Sequence, residues 1–224
     1  MLMPTIATAV RKPLRQVRRT GFRALERALN VDTGGEVELE DLNVDAPERE
    51  GYEGSGWIDL RRMLRRGEVG PQDVFVDLGA GKGKIVMLAA RYPFARVTGV
   101  EISEDLNVIG RRNLAQGRYR QRAKDVELVT ADIAEYQIPD DVTVAYIYNT
   151  VRGETFDRVI ANLVASVNRR PRRMRVIYLN AQEHERLMAT GRFRLQRTAG
   201  RLRLRRDEAA RSYIRMYGLE PART

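Results

Sequence analysis

No cysteine occurs anywhere in this chain, so disulfide staples and thiolate metal sites are excluded. Histidine is nearly absent too, with His184 alone, and no carboxylate–histidine cluster exists to suggest a zinc or iron centre. No apolar run approaches the roughly 20 residues of a membrane-spanning helix. The apolar start, residues 1–10, is broken by Pro4 and Thr5 and does not read as a signal segment. Lysine is scarce: Lys12, Lys82, Lys84 and Lys124 stand against 36 arginines. These absences leave a cytoplasmic enzyme as the natural expectation. At 224 residues the chain fits one α/β domain with a terminal extension, and that length buries an ample core without crosslinks.

The net charge of +10 is unevenly spread. Residues 1–30 carry +6, residues 31–55 carry −8, residues 56–168 carry +1 and residues 169–224 carry +11. The basic stretch 5–30 sets Val17, Phe22, Leu25 and Leu29 among arginines at helical spacing, with Pro13 limiting the helix to the part after it. It reads as a lid, a homo-oligomer arm, an anionic-surface contact or a helix laid on the chain's own surface. Val31–Gly54 is acidic, punctuated by glycines and Pro47, and reads as a loop or linker. The expected boundary falls at 51/52, with residues 1–51 as arm or lid and 52–224 as the catalytic domain.

The organising stretch is Val74–Lys84, VFVDLGAGKGK. Its apolar opening reads as a buried parallel strand, and the run Ile85–Ala90 after the glycines reads as a helix. A strand, a glycine-rich turn and a helix bring backbone N–H groups to one point at the C-terminal edge of a sheet, where open α/β sheets bind ligands. The G-x-x-x-x-G-K-[ST] phosphate loop does not fit, nor does G-x-G-x-x-G, because Gly83 arrives one residue early.

What remains is Asp77-x-Gly79-x-Gly81-x-Gly83, and here the sequence resembles the class I S-adenosylmethionine-dependent methyltransferases. The resemblance implies that Asp77, Leu78, Gly79, Ala80, Gly81 and Gly83 wrap the amino-acid end and ribose of the cofactor. A second match is Glu101, which ends the strand Ala95–Val100 and stands 24 positions after Asp77. An acidic residue at about this spacing accepts both ribose hydroxyls, and its removal is expected to cost affinity with little change in melting. Ile102 is placed on the adenine face. After the alternating strand Val126–Thr130, Asp132 and Ile133 match the residues that read the adenine edge; by itself Asp132 also suits a helix cap. Tyr52 and Ser55 match an aromatic-plus-hydroxyl turn over the cofactor's amino-acid end, although Tyr52 and Trp57 also suit simple packing.

The strand Val142–Tyr148 ends in Asn149-Thr150-Val151, where methyltransferases put substrate-facing groups. Asn149 is kept, but the Pro-Pro-aromatic of amine-methylating members is replaced, which counts against amine methylation. Tyr148 and Asn149 are candidates to position the acceptor, Asn149 also to touch the cofactor, and Tyr52 or His184 to assist a deprotonation. His184 equally suits an exposed helix residue. Strands at 193–197 and 212–217 are expected to form the antiparallel hairpin that closes a doubly wound, mostly parallel seven-stranded sheet in a three-layer αβα sandwich. The reading is methyl transfer from S-adenosyl-L-methionine to a small-molecule oxygen or nitrogen. The alternatives are a nucleic acid or protein lysine as acceptor, or a non-catalytic cofactor-binding domain.

Overall fold

The computed structural model describes residues 21–37, 52–148, 150–200 and 213–221. The basic stretch before residue 21, the acidic loop 38–51, Asn149 and the Leu/Arg alternation at 201–206 lie outside the described residues. Residues 21–29 are helical (α1). There follow β1 (Glu36–Val37), β2 (Tyr52–Glu53), α2 (Asp59–Met63), β3 (Val74–Leu78), α3 (Lys84–Ala89), β4 (Arg96–Glu101) and α4 (Glu104–Gln116). The second half contains β5 (Asp125–Thr130), β6 (Val144–Tyr148), α5 (Gly153–Arg169), β7 (Met174–Leu179), α6 (His184–Ala189), β8 (Phe193–Gly200) and β9 (Tyr213–Leu219).

The main sheet has seven strands in the order β5-β4-β3-β6-β7-β9-β8. Every pairing is parallel except those of β9 with β7 and β8. The expected fold class is therefore the observed one. Along β3 the side chains alternate: Val74, Val76 and Leu78 pack toward Phe156, Leu163 and Leu187 of α5 and α6, while Phe75 packs toward Leu60, Ile85 and Phe94 on the other face. Helices thus cover both faces, and the central strands are mostly apolar because neither face meets water. Strand β5 sits at the edge, which explains its half-exposed, alternating pattern.

Local chemistry sets the helix limits. The Ser103 hydroxyl accepts the Leu106 N–H at the start of α4, whose first turn carries Glu104 and Asp105 as the macrodipole prefers. Pro171 follows the end of α5, where a proline cannot continue the helix.

One difference from the sequence expectation bears on the site. Part of the segment read as a loop pairs as a short antiparallel ladder, Glu36 with Glu53 and Val37 with Tyr52. The ladder delivers Tyr52 to the main domain. Beside it, the end of α1 lies along α4: the Arg118 N–H donates to the Leu29 carbonyl at 2.7 Å, and Asn30 Nδ2 to the Gln116 carbonyl at 3.2 Å.

Candidate functional site

Strand β3 lies between β4 and β6, so the strand order reverses at the C-terminal end of β3. That is the crevice where open α/β sheets take ligands. The glycine turn, residues 79–83, fills it. Gly79, Gly81 and Gly83 have φ of +86°, +52° and +75°, the left-handed region that glycine adopts at no steric cost.

The turn's N–H groups do not converge on a ligand point as expected from sequence. Gly79 and Ala80 both donate to the Val100 carbonyl, at 2.9 and 3.0 Å, and Gly83 donates to the Ala80 carbonyl at 2.9 Å. Gly81 donates to Glu101 Oε2 at 2.8 Å. Three of these amides hold the turn against β4 and the fourth closes the turn on itself, so the site presents carboxylates and not a phosphate-binding nest.

Glu101 is the hub. It is buried at the end of β4. Besides the Gly81 amide on Oε2, its Oε1 accepts the Ser103 N–H at 3.0 Å. Asp77 is also buried, one strand away on β3 and paired in register with Gly99. Burial, and then the Glu101 charge, push the Asp77 carboxyl well above the usual carboxylate range. Asp132 follows β5, where its Oδ1 accepts the Ala134 N–H at 2.8 Å and so caps a turn; Ile133 beside it is buried, and Ile102 beside Glu101 is partly exposed. Asp77 near the end of β3, Glu101 at the end of β4 and Asp132 just after β5 thus stand at the C-terminal edge of three neighbouring strands.

Tyr52 lies across the turn. A Cβ on Gly81 would come within 2.3 Å of its ring, so ring and main chain are in direct contact. Its hydroxyl donates to the Thr33 carbonyl at 2.8 Å. Burial and the nearby carboxylates of Asp32, Glu26, Asp77 and Glu101 hold the phenol protonated. Tyr52 is therefore a wall and a donor, and the base role expected of it does not fit its surroundings. Thr150 does for Gly79 what Tyr52 does for Gly81: a Cβ there would lie 2.4 Å from the Thr150 hydroxyl. That hydroxyl sits 3.2 Å from the Leu78 carbonyl and 3.1 Å from that of Tyr148, bridging the ends of β3 and β6. Ser55 is buried, accepts the Tyr146 hydroxyl at 3.4 Å, and takes Lys84 Nζ on its carbonyl at 3.2 Å.

Comparison with known proteins agrees with this geometry. The profile of the family described as "Methyltransferase domain" matches residues 75–170. Residues 75–170 thus form a methyltransferase domain, on the sheet of the class I S-adenosylmethionine-dependent fold. Among solved structures it is similar to the Methanobacterium thermoautotrophicum precorrin 8w decarboxylase, at 17% identity and TM-score 0.53 over 79% of this chain and 95% of that one. It is also similar to a Methanosarcina mazei S-adenosylmethionine-dependent methyltransferase, at 12% identity and TM-score 0.52 over 68% and 95% of the two chains. A Salinibacter ruber RNA methyltransferase in complex with S-adenosyl-L-homocysteine shares 26% identity, over 74% of this chain and 92% of that one, at TM-score 0.49. No curated protein matches.

The residues of this methyltransferase suit its cofactor. A Cβ at Gly79 or Gly81 would strike Thr150 or Tyr52, so glycine lets these two side chains lie directly on the turn beside Glu101. A carboxylate oxygen accepts more than one hydrogen bond, so a ribose diol can share the two Glu101 oxygens with the Gly81 and Ser103 amides. His184 is not brought to the turn. It stands on α6 with Nδ1 at 2.8 Å from the Tyr217 hydroxyl of β9. That strand is three places from β3, roughly 14 Å at strand spacing. Burial and then Arg215 lower the His184 pKa, favouring the neutral imidazole.

Sequence reasoning missed Thr150, Asn113 and the two lysines of the turn. Lys82 Nζ donates to the Gly34 carbonyl at 2.9 Å and to Asp32 Oδ1 at 3.2 Å. Lys84 Nζ, besides its bond to Ser55, lies 3.9 Å from Glu26 Oε1 and 5.1 Å from the Trp57 ring centroid. The signal was present: in a chain that uses arginine almost everywhere, two of four lysines fall in one motif. An ammonium on a slim stem fits a buried slot that a planar guanidinium would not.

Proposed function

We propose that this methyltransferase acts on a small-molecule acceptor, at oxygen or nitrogen, held above the ends of β3 and β6. The observation that carries the reading is the charge balance around the turn. Among the described residues, the two lysines of the turn each face a carboxylate of residues 26–32, and the rings of Tyr52 and Trp57 lie over them, so these lysines add little positive field for a polyanion. Residues 52–224 would form the catalytic domain, with 1–51 as its arm or lid.

When bound, S-adenosylmethionine supplies an electrophilic methyl group on a sulfonium; the chain contributes orientation and a dry site. Glu101 would accept the ribose hydroxyls, while Asp77, Leu78, Gly79, Ala80, Gly81 and Gly83 would face the amino-acid end. Asp132 and Ile133 would read the adenine edge, with Ile102 against its face. Tyr148 and Asn149 would orient the acceptor. A protein base is required only where the acceptor must first lose a proton.

A nucleic-acid acceptor is the second reading, favoured by one observation. A cavity of about 370 Å³ carries Arg173, Arg175 and Arg194. It opens where the parallel strands begin, at the edge of the sheet away from the glycine turn, with Asp73 and Glu220 in its wall. The deciding measurement is filter binding of total RNA at 50 and 200 mM salt, beside transfer of labelled methyl to RNA and to a small-metabolite pool. The small-molecule reading expects weak RNA binding with a shallow salt slope and label in the metabolite fraction. Tight RNA binding that falls by about 10³-fold or more over that range, with label in RNA, would replace it.

A further inference from the structure

Residues 26–34 reach the glycine turn from outside the sheet, and Asn113 of α4 ties the two together. Its amide is buried and used on both sides. Oδ1 accepts the Asp32 N–H at 2.8 Å, while Nδ2 donates to the Asp32 carbonyl at 2.7 Å and to the Lys82 carbonyl at 2.9 Å. One side chain therefore pairs with Asp32 as a neighbouring strand would and also holds the main chain of the turn. Lys82 closes the loop from the other direction, through Asp32 and Gly34. Glu26 accepts the hydroxyl of buried Thr33 at 2.7 Å and faces Lys84. The product of these ties is the position of the Thr33 carbonyl, which seats the Tyr52 hydroxyl. With the hydroxyl fixed, the Tyr52 ring lies flush on Gly81, the residue whose amide holds Glu101.

We propose that Asn113 and Lys82 are positioning residues for the cofactor: through residues 32–34 they set Tyr52 on the glycine turn and so determine how tightly the cofactor is held. The inference rests on the assignment of the turn and Glu101 to S-adenosylmethionine. It needs no knowledge of the acceptor. Neither residue touches the cofactor in this scheme; each acts through Tyr52. A hydrogen-bonded chain of this kind has a signature that separate structural roles lack, because breaking it at two points costs little more than breaking it at one.

The test is calorimetric binding of S-adenosylhomocysteine to the full chain and to Asn113→Ala, Tyr52→Phe and the double variant. Tyr52→Phe removes only the hydroxyl that Thr33 receives. Each single change is expected to weaken binding about three- to tenfold, and the double variant no more than about twofold beyond the weaker single variant. Trp57, the only tryptophan, lies beside Lys84 and supplies a second readout: its emission should shift in cofactor-free Asn113→Ala. Should Asn113→Ala not fold, Lys82→Met takes its place in the same cycle with the same outcomes. Losses that multiply in the double variant, or a folded Asn113→Ala that binds within twofold of wild type, would overturn the proposal. Wild-type protein that fails to bind S-adenosylhomocysteine would overturn the site assignment itself, a separate and recognisable result.

Discussion

Replacing Glu101 with alanine tests the site and the fold together. From sequence this carboxylate has only a ligand to hold, so its loss should leave melting almost unchanged. The structure requires otherwise. The side chain accepts the Gly81 and Ser103 amides at 2.8 and 3.0 Å in a buried position. Alanine leaves both N–H groups without that acceptor, at about 1–3 kcal/mol each. Part of this is returned, because Glu101 is one of the two causes that push the Asp77 carboxyl upward. A net loss of about 2–4 kcal/mol follows, and at about 2–4 °C per kcal/mol for a domain of this size the melting temperature should fall by roughly 5–15 °C. Thermal melts at pH 7.5, with and without S-adenosylhomocysteine, measure the first effect. Calorimetry on the folded variant measures the second, an expected affinity loss of about 10- to 100-fold from two charge-assisted bonds. Melting within a degree of wild type would refute the hub role of Glu101. Unchanged affinity in a destabilised variant would refute the ribose assignment while leaving the hub intact.

Three further outcomes are expected. Asp77 has a raised folded pKa, so its contribution to stability is complete below the ordinary carboxylate range and is lost as pH rises through the folded value; Asp77→Asn should flatten that decline and melt higher than wild type at neutral pH, and an unaltered pH profile would argue against it. Glu68 runs the opposite way: the hydrogen bond from Arg197 lowers it from 4.5 to about 2, so its stabilisation is present above pH 4.5 and lost as pH falls toward 2, a slope that acid titration of Glu68→Gln should show to be reduced. Gly81→Ala puts a methyl 2.3 Å from a Tyr52 ring carbon, against a normal contact of about 3.5–4.0 Å, so the ring must retreat and S-adenosylhomocysteine binding should drop by at least about tenfold. Full binding by that variant would show that the Tyr52–Gly81 contact is dispensable.

The sequence by itself determined the strands of the main sheet and their order along the chain. Strands β3, β6 and β7 are legible because a strand covered on both faces is mostly apolar. The glycine spacing after Asp77 is legible because three left-handed positions demand glycine whatever lies around them. Glu101 and Asp132 are legible because each stands at or just past the end of an apolar or alternating run. These features are local, set by a residue's own backbone or its immediate neighbours along the chain. Tertiary structure alone decided what closes the site. The bonds of Asn113 to Asp32, of Lys82 to Gly34 and of Tyr52 to Thr33, and the seat of Thr150 against Gly79, join residues far apart in sequence, and no periodicity marks them. The turn amides illustrate the same limit: the sequence brings them to the strand end, but only the packed sheet shows that Val100, Glu101 and Ala80 have already taken them. The acidic stretch after α1 reads as a solvated linker because its charge is visible in the sequence, whereas Lys82, which draws Asp32 and Gly34 onto the turn, lies some 50 residues further on and meets them only when the chain has folded.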